Sequence, residues 1–165
     1  MKITSPIDID ILTFFKTGKF DFLKLGETKE WILNNFPDPD EYGMGDSLME
    51  AKIWFYGNIE FHFDKDELFL ICSEYVNELE GGQSLNLNTW ILSGLNTLTL
   101  QFVIEHLNNE RIDFTKFNDK VLEDYVRIHL TDSQIQLTFI GEDDNSNKIV
   151  NPNLYRLAAF SLLDK

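Results

Sequence analysis

The chain has 165 residues, 43% of them hydrophobic, and carries 28 acidic against 14 basic side chains, a formal net charge of −14. That content can bury a real core and excludes low-complexity disorder. A field of this sign repels phosphate backbones and anionic lipid and attracts cations, so the expected partner is a basic protein, with no direct nucleic-acid binding and no membrane.

Taken in chain order, Ser5 and Pro6 predict a helix start, since serine caps free amides, proline fits a first turn, and Asp8 falls where negative charge is favourable. Ile7, Ile11, Phe14 and Phe15 follow at helical spacing, and Gly18 supplies a left-handed stop. Asp8 and Asp10 also interrupt the apolar run that a signal peptide needs, and no window reaches the length of a membrane span. Together with a single cysteine, Cys72, which permits no intramolecular disulfide, this predicts a cytoplasmic protein. Residues 19–26 form an apolar connector that lies against the core. A second helix opens on Thr28, runs through Trp31, Ile32 and Phe36, and is stopped by Pro37 and Pro39. Residues 38–47 form a turn-rich loop. Its Asp38, Asp40 and Glu41 lack the glycine-spaced pattern of a calcium loop and are expected to be solvated.

Residues 53–72, IWFYGNIEFHFDKDELFLIC, are the centre of the reading. Ile53 to Tyr56 is dense in β-branched and aromatic residues and stops at the turn dipeptide Gly57-Asn58. Ile59, Phe61 and Phe63 then alternate with Glu60, His62 and Asp64, and after an acidic turn Leu68 to Cys72 reads as a strand buried on both faces. Three antiparallel strands are predicted. The glycine-containing stretch 80–84 is read as a flexible junction between a first half, 1–79, and a second, 85–165, which share one core. In the second half Trp90 to Leu92 is a short apolar run, a strand or the start of a helix. Thr99 opens a helix carrying Phe102, Val103, His106 and Leu107 and ending at Asn108-Asn109. Val126, Ile128 and Leu130, then Ile135, Leu137 and Phe139, alternate as strands, a polar tip spans 142–148, and 154–163 is a last strand. The Thr28 helix aligns with the Thr99 helix, and IEFHF (59–63) aligns with IQLTF (135–139). The predicted class is therefore α+β: two pseudo-repeats, each one or two helices on a three-stranded antiparallel meander, in one continuous or two adjoining sheets.

At these residues the chain resembles a known unit. Gly26, Thr28, Ile32, Pro37, Trp54, Tyr56, Gly57, Phe61, Phe63 and Leu68 match the helix-plus-meander unit shared by the β-lactamase inhibitor protein and the small outer-membrane assembly lipoproteins. The second half matches through Thr99, Val103 and Phe139. In the inhibitor the unit occurs twice and its strands form one sheet that grips a partner, so the resemblance implies a protein-binding sheet. The sequence departs from both relatives in lacking a disulfide pair and a lipidation cysteine.

Residues arranged for chemistry are few. His62, His106 and His129 have no partners at metal-ligand spacing, no C-x-x-C is present, and the glycines make no phosphate loop. No catalytic residue, cofactor or metal is expected. Glu60, His62 and Asp64 share one strand face and are of the right types for acid/base or metal work, but such a row is more often the wet side of a sheet. Cys72 is read as a packed thiol, His106 as a satisfied boundary histidine, and Trp31, Trp54 and Trp90 as core. The expected function is a non-enzymatic, protein-binding module of inhibitor or immunity type. Its face would carry Glu60, His62 and Asp64 and, at equivalent positions of the second half, Gln136 and Thr138. The competing reading is a small enzyme or ligand-binding domain working around His62.

Overall fold

The computed structural model describes residues 2–163. Among them are three α-helices, α1 (Ile11–Thr17), α2 (Lys29–Asn35) and α3 (Leu100–Asn109). The first half contributes strands β1 (Ile7–Asp10), β2 (Glu41–Gly43), β3 (Ile53–Tyr56), β4 (Ile59–Asp64) and β5 (Glu67–Ser73). The second contributes β6 (Leu85–Asn88), β7 (Phe114–Asn118), β8 (Tyr125–Leu130), β9 (Gln136–Ile140) and β10 (Arg156–Leu163). Eight of these strands form a sheet in the order β2-β3-β4-β5-β10-β9-β8-β7, antiparallel throughout, while β1 and β6 pair in parallel apart from it. The class is α+β, and the two meanders are joined in one continuous sheet through β5 and β10, with Cys72 opposite Ser161.

The threonine caps form as their residue type dictates. Thr28 Oγ1 accepts the Trp31 amide at 3.1 Å and Thr99 Oγ1 accepts the Phe102 amide at 3.2 Å, each satisfying one of the free donors of a helix start. Gly18 closes α1 at φ 71°, its amide donating to the Phe14 carbonyl. The start of α1 differs from expectation. Residues 7–10 are extended, and Ile7 and Ile9 lie opposite Leu85 and Leu87, because Ile-x-Ile fits a period of two as well as Ile7 and Ile11 fit a helix. Trp90 to Leu92 is neither strand nor helix but a turn, with Trp90 at φ 52°. The left-handed residue after α3 is Arg111, at φ 56°, not Asn108 or Asn109. Each half has four strands in the sheet where three were expected. The additions, β2 and β7, are the two outer edges, and their exposed residues leave little apolar pattern to read.

The halves share more than element order. Thr28 bridges to Glu67 at the start of β5, and Thr99 bridges to Arg156 at the start of β10. On β4 and β5, Phe63 faces Leu68 and His62 faces Leu70, leaving Phe69 unpaired; on β9 and β10, Phe139 faces Leu157 and Thr138 faces Ala159, leaving Ala158 unpaired. A β-bulge thus sits at the same register place in both.

One face of the sheet is core. Trp54, Tyr56, Phe61, Phe63, Ile71, Ile128, Leu137, Phe139, Phe160 and their neighbours form one buried cluster with Phe14 and Phe15 of α1, Ile32 of α2, and Leu100, Val103 and Leu107 of α3. Aromatic edges interlock there, with ring centroids at 5.6 Å for Phe20 and Phe61, 5.7 Å for Phe36 and Tyr56, and 6.0 Å for Phe14 and Phe160. Tyr56 donates its hydroxyl to the Pro37 carbonyl at 2.8 Å, and burial pushes that hydroxyl far above its ordinary pKa. The 80–84 stretch is tied down rather than loose. Asn58 donates to the carbonyls of Glu80 and Glu78, and its side-chain oxygen accepts the Glu80 amide. The Asp40 carboxylate accepts the amides of Gly57 at 2.7 Å and Gln83 at 2.9 Å, a structural duty that occupies one of the acidic residues of its loop.

Candidate functional site

No element among the described residues is layered over the opposite face of the sheet. Reading straight across the ladder, Glu41, Phe55, Glu60, Cys72, Ser161, Gln136, His129 and Thr115 form one row through all eight strands. Ile53, His62, Leu70 and Leu163 form the row beside it on the first half, and Ala159, Thr138, Arg127 and Phe117 the corresponding row on the second. None of these residues is fully buried, whereas on the six inner strands they alternate with buried ones, the bulge residues Phe69 and Ala158 apart. The face is amphipathic, with Ile53, Phe55, Leu70, Tyr125 and Ile140 among its charges.

The five residues expected on this face do lie on it, but they divide into separate groups. Glu60 Oε2 and His62 Nε2 meet at 2.7 Å, both half-buried. Asp64 stands apart, exposed at the strand end opposite Glu67. Gln136 and Thr138 lie on β9, three strand spacings from β4 and so about 14 Å away. Thr138 is engaged there by Arg127, whose guanidinium donates to its hydroxyl at 3.1 Å and to Asp119 at 3.0 Å. Asp119 also accepts the amides of Val121 and Leu122, and these bonds, with Arg127, hold its carboxyl down at about 2.

Cys72 is the residue that the sequence misplaced. A strand buried on both faces would enclose it; it is half-buried on the open face, its Sγ 3.7 Å from His62 Nε2. The bulge is the reason. A strict period of two puts Leu68, Leu70 and Cys72 together on the core face, but the extra residue at Phe69 turns Leu70 and Cys72 outward and leaves Ile71 and Ser73 inside. Phe69 itself places its ring 6.4 Å from that of His62. Ligand atoms of Glu60, His62 and Cys72 all lie within 4.8 Å of one another, making a carboxylate, an imidazole and a thiol the one chemically mixed cluster of metal-ligand type among the described residues.

Burial, then the charges of Glu60 and Glu74, push the Cys72 thiol up to about 12. The thiolate is the nucleophilic form, so at neutral pH Cys72 is a thiol resting against His62, not an activated Cys–His ion pair. Elsewhere, an open groove of about 850 Å³ runs past the β4–β5 turn, lined by Lys29, Lys52, Phe63, Asp64, Asp66 and Phe69, and includes none of the three cluster residues. Lys29 is almost wholly buried there, donating to Met49 O at 2.7 Å and Asp66 at 3.1 Å, with its Nζ 5.2 Å from the Phe63 ring centre. His106 donates Nδ1–H to the Phe102 carbonyl at 2.9 Å and stacks on that ring. Trp54 is buried and donates to Leu48 O, while Trp31 and Trp90 are half-buried against the core. No helix among the described residues is long and apolar enough to cross a membrane. No protein-family model, curated protein or solved structure matches the chain.

Proposed function

We propose that this protein is a non-enzymatic binding module of inhibitor or immunity type, cytoplasmic in location, whose open sheet face docks a basic protein. The observation that carries the reading is the bare face of an eight-stranded sheet in a chain of net charge −14. Sheets of this kind cover one face with helices and leave the other to solvent or to a partner. The alternation of Ile53, Phe55 and Leu70 with Glu41, Glu60 and Asp64 suits a contact that is apolar at its centre and charged around it. A cationic partner would be steered by the net charge, and association would slow as salt screens the field. The resemblance of the first half to the inhibitor unit points the same way. The shared strand order, caps and bulge of the two halves support the further reading that they are diverged copies of one unit. A lone, protonated cysteine supports the reducing compartment. The rival reading, a small enzyme working around His62, has less support, because the thiol beside that ring is protonated and the groove lies elsewhere.

The test is affinity capture from the native host with the wild-type chain and with a Glu60→Lys, Asp64→Lys double variant, followed by binding of the isolated partner at several salt concentrations. Loss of binding with an unchanged fold is expected, since partly exposed substitutions usually cost little stability. A double variant that binds with unchanged affinity and salt dependence would overturn the docking face.

A further inference from the structure

We propose that Glu60, His62 and Cys72 form a three-ligand zinc site on the open sheet face, with the fourth coordination position left to water or an incoming group. The inference is independent of the docking proposal, since it rests on the cluster alone. The three side chains leave two paired strands. Glu60 and His62 are two residues apart on β4, and Cys72 lies directly across from Glu60 on β5, so the ladder fixes all three Cα positions before any ion arrives. In a tetrahedral zinc site with Zn–S near 2.3 Å and Zn–N near 2.05 Å, sulfur and nitrogen stand about 3.6 Å apart, and nitrogen and carboxylate oxygen about 3.4 Å. Here sulfur and nitrogen stand at 3.7 Å. The oxygen, now hydrogen-bonded to the nitrogen at 2.7 Å, needs to withdraw by only a fraction of an ångström, which a half-exposed glutamate can do by rotation.

The donor set also selects the metal. A thiolate, an imidazole and one carboxylate suit a borderline-soft divalent ion; magnesium and calcium call for oxygen donors in larger number. On binding, zinc replaces the Cys72 proton, which leaves to solvent, and the 2+ charge is balanced by one thiolate and one carboxylate. The second half provides an internal comparison. At the same register places it carries Gln136, Thr138 and Ser161, none of which is a ligand of this class, so the fold does not itself demand an ionisable trio around the bulge.

The experiment uses the full chain, stripped with chelator and held reduced by a phosphine, titrated with zinc chloride in a calorimeter and with cobalt chloride in a spectrophotometer. Expected are one ion per chain, a dissociation constant of about 10 µM or tighter, and a near-ultraviolet thiolate-to-cobalt charge-transfer band. Cys72→Ser should abolish the band, and Cys72→Ser and His62→Gln should each weaken zinc binding by at least about tenfold. If either substitution impairs folding, the folded wild-type chain with Cys72 capped irreversibly as the carbamidomethyl thioether is titrated instead, and it should lose the band. Three results would overturn the site: no saturable binding up to about 1 mM, no charge-transfer band, or affinity that survives the loss or capping of Cys72, which marks an adventitious surface cation only.

Discussion

The β4–β5 corner of the open face and the β9–β10 corner have the same backbone and different chemistry. Each has a bulge beside the pair made by the middle strand's last phenylalanine, Phe63 with Leu68 and Phe139 with Leu157, and each turns the next alternate residues outward. In the first corner those outward residues, with their partners across the ladder, are Glu60, His62, Leu70 and Cys72; in the second they are Gln136, Thr138, Ala159 and Ser161. The comparison separates what the fold requires from what it merely permits. A bulge, a threonine cap and a buried phenylalanine recur because the architecture needs them; a trio of carboxyl, imidazole and thiol groups occurs once among the described residues, and so calls for a reason of its own.

The largest effect expected within this comparison is in the core. Phe61 and Leu137 occupy matching register places, opposite Ile71 and Phe160, and both are fully buried. Phe61 touches the rings of Phe20, Phe36 and Tyr56, so Phe61→Ala should cost about 3–5 kcal/mol and Leu137→Ala about 2–4 kcal/mol in denaturant unfolding. A larger loss at Leu137 would mean that the second half, not the first, carries the weight of the core. The caps come next. Thr28→Ala and Thr99→Ala should each cost about 1 kcal/mol, and a loss at only one of them would break the equivalence of the two helix starts. The smallest effect is electrostatic and confined to the second half. Asp119 is held at about 2, below its ordinary value, so its contribution is complete above roughly pH 4 and is lost as pH falls towards 2. Asp119→Asn should flatten that part of the acid limb, as read from unfolding midpoints at pH 4 and pH 2; parallel losses in variant and wild type would show the carboxylate to be a bystander.

The central meander and the helix caps were legible because they are local: Ile59, Phe61 and Phe63 alternate within six residues, and each threonine caps an amide three residues away. What escaped is non-local or breaks a period. The parallel pairing of β1 with β6 joins residues 7–10 to 85–88, and nothing in IDID distinguishes it from the first turn of a helix. The edge strand β2 has three residues set in a loop of glycines and acids. The bulge at Phe69 carries no sequence signal in an all-apolar run, and it alone decides that Cys72 faces His62. The candidate site was therefore two-thirds visible. Glu60 and His62 could be placed from alternation; their third member could not.

The pairing of β5 with β10 has a consequence for how the molecule is made. These strands form the middle of the sheet, yet they lie about 90 residues apart along the chain, so the contact that closes the sheet is among the slowest to find. During synthesis the first meander can form while the outer edge of β5 stays bare, a row of unpaired amides and carbonyls able to recruit another chain. The apolar run of that edge, Leu68 to Cys72, is bracketed by Glu67 and Glu74, both exposed. Charges in those positions act as gatekeepers, keeping the half-built sheet from stacking on its neighbours until its own last strand arrives.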